Sequence, residues 1–247
     1  MSHNIIVRVA TPDDKKYAET ITTEMEESAK ARGTGIAKRS PLYSEQKMEE
    51  GKAVIALMPD GTWVGFCYIE AWEHEKYVAN SGLIVSPAFR KTGIATEIKR
   101  KVFELSRKKY PEAKIFGLTT GLAVMKINSD LGYEPVTYSE LTHDDEFWKG
   151  CQSCVNYEIL MSKGRKNCMC TAMLYDPVEK AKEEAAKKAA LLAQEPAPVT
   201  LEAKEFAMYS KIYERFMRLK QFVLLKSGKR KTDEPQSKSL LSFLFFW

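Results

Sequence analysis

The sequence lacks any long apolar run, and this absence limits the classes of protein to which it can belong. Its 247 residues contain no stretch near the roughly 20 apolar residues that a membrane helix needs. The opening, MSHNIIVRVATPDD, has neither the basic region nor the apolar core of a secretory signal. We therefore expect a protein without a membrane span, located in the cytoplasm.

The sequence also has little excess of charge of either sign. Its 38 Lys and Arg residues against 33 Asp and Glu residues give a formal net charge of +5. This mild basicity suits an enzyme of anionic substrates as well as a weak nucleic-acid contact, and it decides neither. A predicted helix over 201–226 has a basic face, but its aromatic stripe is better explained by docking on the core. We therefore do not expect a nucleic-acid partner.

Cysteine is scarce and unevenly spread. Cys67 stands alone, and the other four lie within twenty positions. In a reducing compartment such a cluster favours a metal site or free thiols over disulfides. Cys151-x2-Cys154 is a standard chelating turn, and with Cys168-x-Cys170 it offers four thiolates to a tetrahedral structural zinc ion. The Cys-x-Cys spacing is less usual, so free or buried thiols and an iron–sulfur cluster remain alternatives.

Alternating and helical apolar patterns predict the order β-α-α-β-β-β-α-β-α-β over residues 1 to about 160, which is a mixed α/β domain. The strongest pattern is an amphipathic helix over 93–109. Its apolar positions are Ile94, Ile98, Val102 and Leu105, and the basic residues predicted for the other side are Lys99, Arg100 and Lys101.

Composition divides the chain into four parts. Residues 1–160 form the predicted α/β domain, and a Cys-rich segment that starts at Cys151 continues through 161–176. A helical C-terminal extension follows over 177–226. Residues 227–247 are expected to be disordered, although they end in the apolar segment LLSFLFFW, which is too short to span a bilayer.

Two hexapeptides share the form Arg-x-x-Gly-x-Ala: RGTGIA at 32–37 and RKTGIA at 90–95. The second copy follows a predicted strand and opens the amphipathic helix, so its backbone N–H groups lack intrahelical partners at the positive end of a helix dipole. Gly93 and Ala95 keep side chains away from an approaching pyrophosphate. The second copy is therefore the predicted phosphate-binding turn, with these residues: Arg90, Lys91, Thr92, Gly93, Ile94 and Ala95.

The segment GLIVSPAFRKTGIATEIKRKVFELS (82–106) resembles the acyl-CoA-binding segment of the GNAT (Gcn5-related) N-acetyltransferases, whose turn reads (Gln/Arg)-x-x-Gly-x-(Gly/Ala). VRVATPDD and LGYEPV resemble the first and last marks of that domain, so the resemblance covers residues 4–140. It implies a GNAT-like acyl-CoA N-acyltransferase fold with acetyl-CoA or another acyl-CoA as the donor. Such proteins are often dimers, which leaves a homodimer open.

The resemblance also implies roles for individual residues. The backbone of Leu83, Ile84 and Val85 would lie along the pantetheine arm, where an N–H group can polarise the thioester carbonyl. The family commonly has a Tyr that acts as the general acid four residues before the Gly of its closing mark. Here that position is Asn128. Its amide cannot deliver a proton, although it can bond a thiolate, a water, the cofactor or the backbone.

The acceptor side is expected at the end of the strand 62–72, where Glu70 is the predicted general base. In GNAT folds the loop after the first helix often closes over the acceptor, and here it carries Arg32, Lys38 and Arg39. Since Arg binds carboxylates in a bidentate way, we expect a small carboxylate-bearing amine, such as glutamate in arginine biosynthesis. A solvated loop, a protein or peptide N-acetyltransferase, and a non-catalytic acyl-CoA-binding module are the alternatives.

Overall fold

The computed structural model describes residues 4–33 and 38–194, which contain seven strands and seven α-helices. The strands are β1 Ile6–Val9, β2 Ala53–Leu57, β3 Trp63–Trp72, β4 Tyr77–Val85, β5 Lys114–Thr119, β6 Glu134–Val136 and β7 Thr171–Tyr175. The helices are α1 Ala18–Arg32, α2 Pro41–Glu49, α3 Ile94–Lys109, α4 Leu122–Asp130, α5 Asp145–Lys149, α6 Tyr157–Ser162 and α7 Pro177–Gln194.

The chain divides into two compact units, Met1–Ala186 and Lys187–Trp247. Of the second unit the structure describes residues 187–194, which are the end of α7. The predicted helix over 201–226 and the predicted tail over 227–247 lie outside the described residues. None of the described helices combines the length and the apolarity needed to cross a bilayer.

The seven strands form one mixed sheet in the order β1-β2-β3-β4-β5-β7-β6. Every neighbouring pair in it is antiparallel except β4 and β5, which are parallel. The turn between β2 and β3 has Gly61 at a φ of 86°. The mixed α/β architecture predicted from the sequence is confirmed.

Helices cover both faces of the sheet. On one face α3 buries Ile94, Ile98 and Val102 against the central strands, which confirms the amphipathic helix. On the other face α1 and α2 bury Ile21 and Met48. A third cluster, over the end of the sheet that contains β5 and β7, includes side chains from α5 and α6.

Helix α2 begins at Pro41 and ends at Glu49. Ser40 caps it, since the Ser40 Oγ accepts a hydrogen bond of 3.2 Å from the Tyr43 N–H, and proline occupies the first helical position. Proline is favoured there because the first N–H groups of a helix have no intrahelical acceptor.

Strand β7 comes from the Cys-rich segment, and the sequence patterns did not predict it. It pairs with β5 over five residues and with β6 over three, so the sheet continues past residue 160. Residues 151–176 accordingly fold within the first compact unit. The domain limits drawn from composition stay predictions.

Candidate active site

A gap opens in the middle of the sheet, between β4 and β5. These strands pair at only three positions, the last of which joins Ala79 to Phe116. Beyond it, β4 stays paired with β3 as far as Val85, whereas β5 stays paired with β7 as far as Thr119. The diverging strands line a cavity of about 630 Å³. Among the residues lining it are Arg39, Tyr68, Glu70, Asn80, Leu83, Lys99, Gly117, Asn128, Cys151, Cys154 and Cys170.

The far end of β4 leads into the predicted phosphate-binding turn. Lys91 and Gly93 have positive φ values of 65° and 90°, and α3 begins at the next residue, Ile94. The N–H groups of residues 91–95 have no protein acceptor among the described residues, but the Arg90 N–H donates to the Pro87 carbonyl at 3.3 Å. Five unpaired N–H groups, not the predicted six, therefore lie at the positive end of a helix dipole.

The side chain of Arg90 is engaged by neighbouring protein groups. Its guanidinium donates to Glu24 Oε1 at 2.7 Å, to Ser28 Oγ at 2.6 Å and to the Val85 carbonyl at 3.1 Å. These bonds tie the turn to α1 and compensate the charge of Arg90. Lys91, in contrast, is exposed and has no ion-pair partner in the described part of the chain.

The three β4 residues predicted to follow the pantetheine arm differ in where their side chains lie. Leu83 lines the cavity. Ile84 is buried on the face covered by α1 and α2, whereas Val85 is buried on the α3 face. A contribution from Ile84 and Val85 would therefore come from their backbone, and it stays a prediction.

Glu70 is 3% exposed and belongs to a network at the cavity wall. Its Oε1 lies 3.2 Å from Arg39 Nη2 and accepts a hydrogen bond from the Tyr43 hydroxyl. Arg39 Nε also donates to the Tyr68 hydroxyl at 3.1 Å, and its guanidinium lies 5.2 Å from the centre of the Tyr43 ring. The second oxygen of the carboxylate, Oε2, has no bonding partner within residues 4–33 and 38–194.

The surroundings shift the pKa values of Tyr43, Tyr68 and Arg39 in this network. Burial and the neighbouring carboxylate of Glu70 raise the pKa values of Tyr43 and Tyr68, so both hydroxyls keep their protons. The Tyr43 hydroxyl donates to Glu70, and the Tyr68 hydroxyl accepts from Arg39. Burial opposes the charge of Arg39, but Tyr68 and Glu70 outweigh it and raise the pKa of the guanidinium. Arg39 and Glu70 therefore form a matched ion pair in the wall of the cavity.

Of the two predicted acceptor-binding residues whose side chains the structure describes, one reaches the cavity. Arg39 lines it, whereas the Lys38 side chain is 68% exposed and pairs with Glu26 at 3.4 Å. The side chain of Arg32 and residues 34–37 of the first hexapeptide lie outside the described part. Arg39 already has a carboxylate partner, which the sequence pattern did not reveal.

Asn128 lies in α4 and is 1% exposed. Its Nδ2 makes one weak contact, of 3.7 Å to the Met173 sulfur, and its Oδ1 has no hydrogen-bond partner in the described part of the chain. An unpaired buried polar group costs about 1–3 kcal/mol, so it calls for a ligand group that can pair with it. Because Asn128 lines the cavity, this orphan acceptor suits an amide N–H of a bound pantetheine arm.

Lys99 also lines the cavity, and its placement corrects a prediction. The sequence pattern assigned it to the solvated side of α3, but it is 2% exposed. The sequence contains an indication of this burial. Ala95 and Phe103 lie four residues before and after Lys99, on the same side of the helix, and both pack against the core. Its ammonium lies 5.5 Å from the centre of the Tyr133 ring.

A chain of buried hydrogen bonds runs beside Lys99. The Tyr133 hydroxyl donates to Asn80 Oδ1 at 2.8 Å, and Asn80 Nδ2 bonds Ser106 Oγ at 2.7 Å. Burial raises the pKa of Tyr133 well above its usual value, so its hydroxyl keeps its proton and stays committed to Asn80. Tyr133 therefore does not take over the role of the tyrosine that the family commonly has at the position of Asn128.

The four clustered cysteines are free and partly exposed, and Cys151, Cys154 and Cys170 line the cavity. Cys154 Sγ accepts from the Asn156 N–H at 3.4 Å, and the Cys168 thiol donates to the Asn156 carbonyl at 3.8 Å. Within residues 4–33 and 38–194, no group of three or more His, Cys, Asp or Glu side chains is arranged to hold a metal ion. The predicted zinc site is thus without structural support.

Comparison with known proteins agrees with this geometry. Residues 19–123 match the family model of the Acetyltransferase (GNAT) family. The chain contains a GNAT acetyltransferase domain. The predicted family and the predicted fold class are confirmed. No curated protein sequence matches the chain.

Two solved structures share the GNAT fold with it. The N-acetylglutamate synthase of Neisseria gonorrhoeae, complexed with coenzyme A and N-acetyl-glutamate, has a TM-score of 0.51 and 17% identity over 71% of this chain. This chain spans only 36% of the length of that protein. A Mycobacterium tuberculosis protein in complex with coenzyme A and NLQ has a TM-score of 0.50 and 17% identity over 69% of this chain and 98% of its own. Such low identities establish the fold alone.

Proposed function

We propose that the protein is an acyl-CoA-dependent N-acyltransferase that moves an acetyl group to the amine of a small carboxylate-bearing acceptor. The divergence of β4 from β5 carries this proposal. The turn with unpaired N–H groups at residues 91–95 comes soon after the end of β4 at Val85, and the Arg39–Glu70 pair lies on the cavity that β4 lines. A donor site and an acceptor site thus share one strand.

The donor would be held mainly by backbone groups. The five N–H groups of residues 91–95 and the Lys91 ammonium suit the diphosphate of coenzyme A. Asn128 Oδ1 would accept a hydrogen bond from the pantetheine arm, which relieves its unpaired state. When bound, acyl-CoA supplies the acyl group as an activated thioester. The protein's part is then to bind it, to orient it and to manage protons.

The acceptor would be held by the matched pair. An amino acid presents both an amine and a carboxylate, and the cavity offers Glu70 to the first and Arg39 to the second. The unbonded Oε2 of Glu70 is placed to accept the proton that the attacking amine loses. Tyr43 and Tyr68 hold the pair in position. This complementarity supports an amino acid, with glutamate as the first candidate because one similar structure is an N-acetylglutamate synthase.

An assay of thiol release tests the function. The full-length protein is incubated with acetyl-CoA or succinyl-CoA and a panel of amino acids and peptides, and free coenzyme A thiol is followed. Release that depends on one or a few amino acids is the expected result. Release with peptides alone would establish a peptide acetyltransferase. Tight coenzyme A binding without release for any acceptor would establish a binding module, and either outcome overturns the proposal.

The role of Arg39 is tested by Arg39→Lys, which keeps the charge beside Glu70 but loses the planar fork. We expect the acceptor KM to rise by about tenfold, equivalent to about 1.4 kcal/mol, while the KM for acetyl-CoA stays unchanged. Lys38→Gln is the matched control, because that neighbouring side chain is exposed. An acceptor KM equal to that of the unaltered protein would remove Arg39 from acceptor binding.

A further inference from the structure

Lys99 is a buried cation without a counter-ion among the residues that the structure describes. It lies in the second turn of α3, is 2% exposed and lines the cavity. Within the described part of the chain, no carboxylate and no hydrogen-bond acceptor contacts its ammonium, which is stabilised only by the face of the Tyr133 ring at 5.5 Å. A buried lysine in this state is costly to keep, so its position calls for an explanation beyond packing.

The surroundings of Lys99 place it at the middle of β4. Burial lowers the pKa of Lys99, and the titratable groups that face it are Cys67 of β3 and Tyr133 after α4. Burial raises the pKa of Cys67 to about 11 and that of Tyr133 well above its usual value, so both neighbours are neutral. The Cys67 thiol donates to the Ser81 carbonyl at 3.3 Å, at the point where β4 has left β5.

Lys99 and Glu70 lie on opposite faces of the sheet. Side chains alternate along β3, so Cys67 faces α3 and Lys99, whereas Glu70 and its partner Arg39 face the side of α1 and α2. The gap between β4 and β5 connects the two faces, since Lys99 and Glu70 line the same cavity. An acid and a base can therefore act from opposite sides of a group bound in the gap.

We propose that Lys99 protonates the leaving thiolate, the step that Asn128 cannot perform. This inference rests on the acyltransferase activity proposed above. The amine nitrogen bonds to the carbonyl carbon, the carbon–sulfur bond breaks and its electron pair stays on sulfur. The Lys99 ammonium gives a proton to that sulfur, and Glu70 takes the proton that the amine nitrogen loses. Solvent then returns a proton to Lys99 and removes one from Glu70.

Lys99→Met tests this step, because methionine fills a similar volume without a charge. We expect kcat to fall by about 10²-fold or more, as for the loss of a general acid. In the unaltered protein kcat should decrease as pH rises through the pKa of Lys99, and the variant should lose this dependence. Coenzyme A binding by calorimetry and the thermal midpoint should stay at or above the values of the unaltered protein.

Two further variants sharpen the result. Lys99→Arg keeps the positive charge, but arginine holds its proton too tightly to transfer it. Its kcat should therefore also fall, and the decrease of kcat at high pH should also disappear. Lys101→Met is the matched control on the same helix, because Lys101 is 44% exposed and pairs with Glu104. It should leave kcat and its pH dependence unchanged.

The outcomes separate this inference from the proposed function. If the unaltered protein releases no thiol with any acceptor, the acyltransferase proposal fails and the role of Lys99 fails with it. If the unaltered protein is active and Lys99→Met is equally active with the same pH profile, only the role of Lys99 is overturned. Full activity of Lys99→Arg would overturn proton transfer by Lys99.

Discussion

Single buried polar groups carry much of the chemistry proposed for this protein. Among the residues that the structure describes, Asn128 Oδ1 has no partner and Lys99 has no counter-ion, and both line one cavity. Each arrangement costs folding free energy in the protein without ligands, because a buried polar group loses its bonds to water. Groups of this kind are expected where a ligand supplies the missing partner.

For a single residue, Asn128→Leu is a test in which stability and cofactor affinity should change in opposite directions. Leucine has a similar shape and no polar atoms, so the free energy of unfolding without ligand should rise by about 1 kcal/mol as the unpaired acceptor disappears. Affinity for coenzyme A should fall by about tenfold, since the cofactor loses a hydrogen bond. Chemical denaturation and calorimetry measure the two quantities.

Ser129→Ala is the control for that experiment, because Ser129 is the next residue of α4 and is exposed. It should change neither the unfolding free energy nor the affinity. A loss of stability in Asn128→Leu together with unchanged cofactor binding would show that Asn128 is a structural residue.

At the scale of single elements, β4 determines the shape of the site. Its register against β3 shifts near Phe66 and Tyr68, and Gly82 has a φ of 66° at this irregularity. A Cβ atom on Gly82 would lie 2.2 Å from Tyr68 Cε1, so only glycine fits. The irregularity lies in the part of β4 that has left β5.

Gly82→Ala should therefore destabilise the protein. The positive φ and the contact with Tyr68 together should lower the free energy of unfolding by about 2 kcal/mol or more, and a displaced Tyr68 should also lower activity. Gly121→Ala is the control, since its φ is −90° and a Cβ there would make only ordinary contacts, the nearest at 3.6 Å. Equal stability of the two variants would contradict this account of β4.

Elements with a strong local pattern were predictable, and those set by tertiary contacts were not. The apolar spacing of Ile94, Ile98 and Val102 was enough to predict α3, but the burial of Lys99 depends on the cavity, which no local pattern encodes. Strand β7 has three buried residues between Cys170 and the start of α7, and this stretch is too short to give a periodic signal.

The acceptor side was predicted only in part, for a related reason. The sequence indicated Glu70 and Arg39 as separate candidates, one for a base and one for carboxylate binding. They are 31 positions apart in the chain, and only the fold shows that they form a pair. The Cys-rich segment likewise supplies residues that line the cavity. From their spacing alone, these cysteines were predicted to bind zinc.

At the scale of the whole molecule, the proposed function requires that the turn at residues 91–95 binds the diphosphate of coenzyme A. Gly93 is the residue to change, because its φ of 90° is strained for any other residue while a Cβ there would meet open space. A loss of binding in Gly93→Val would therefore report the shape of the turn. Gly164→Ala is the matched control, as it has a φ of 56° and an equally open site in the loop after α6.

Titration calorimetry of the full-length protein with coenzyme A is the most direct measurement. The account predicts binding at one site per chain, an affinity at least tenfold weaker in Gly93→Val, and an unchanged affinity in Gly164→Ala. It would be contradicted if the unaltered protein showed no heat of binding, or if Gly93→Val bound coenzyme A as tightly as the unaltered protein.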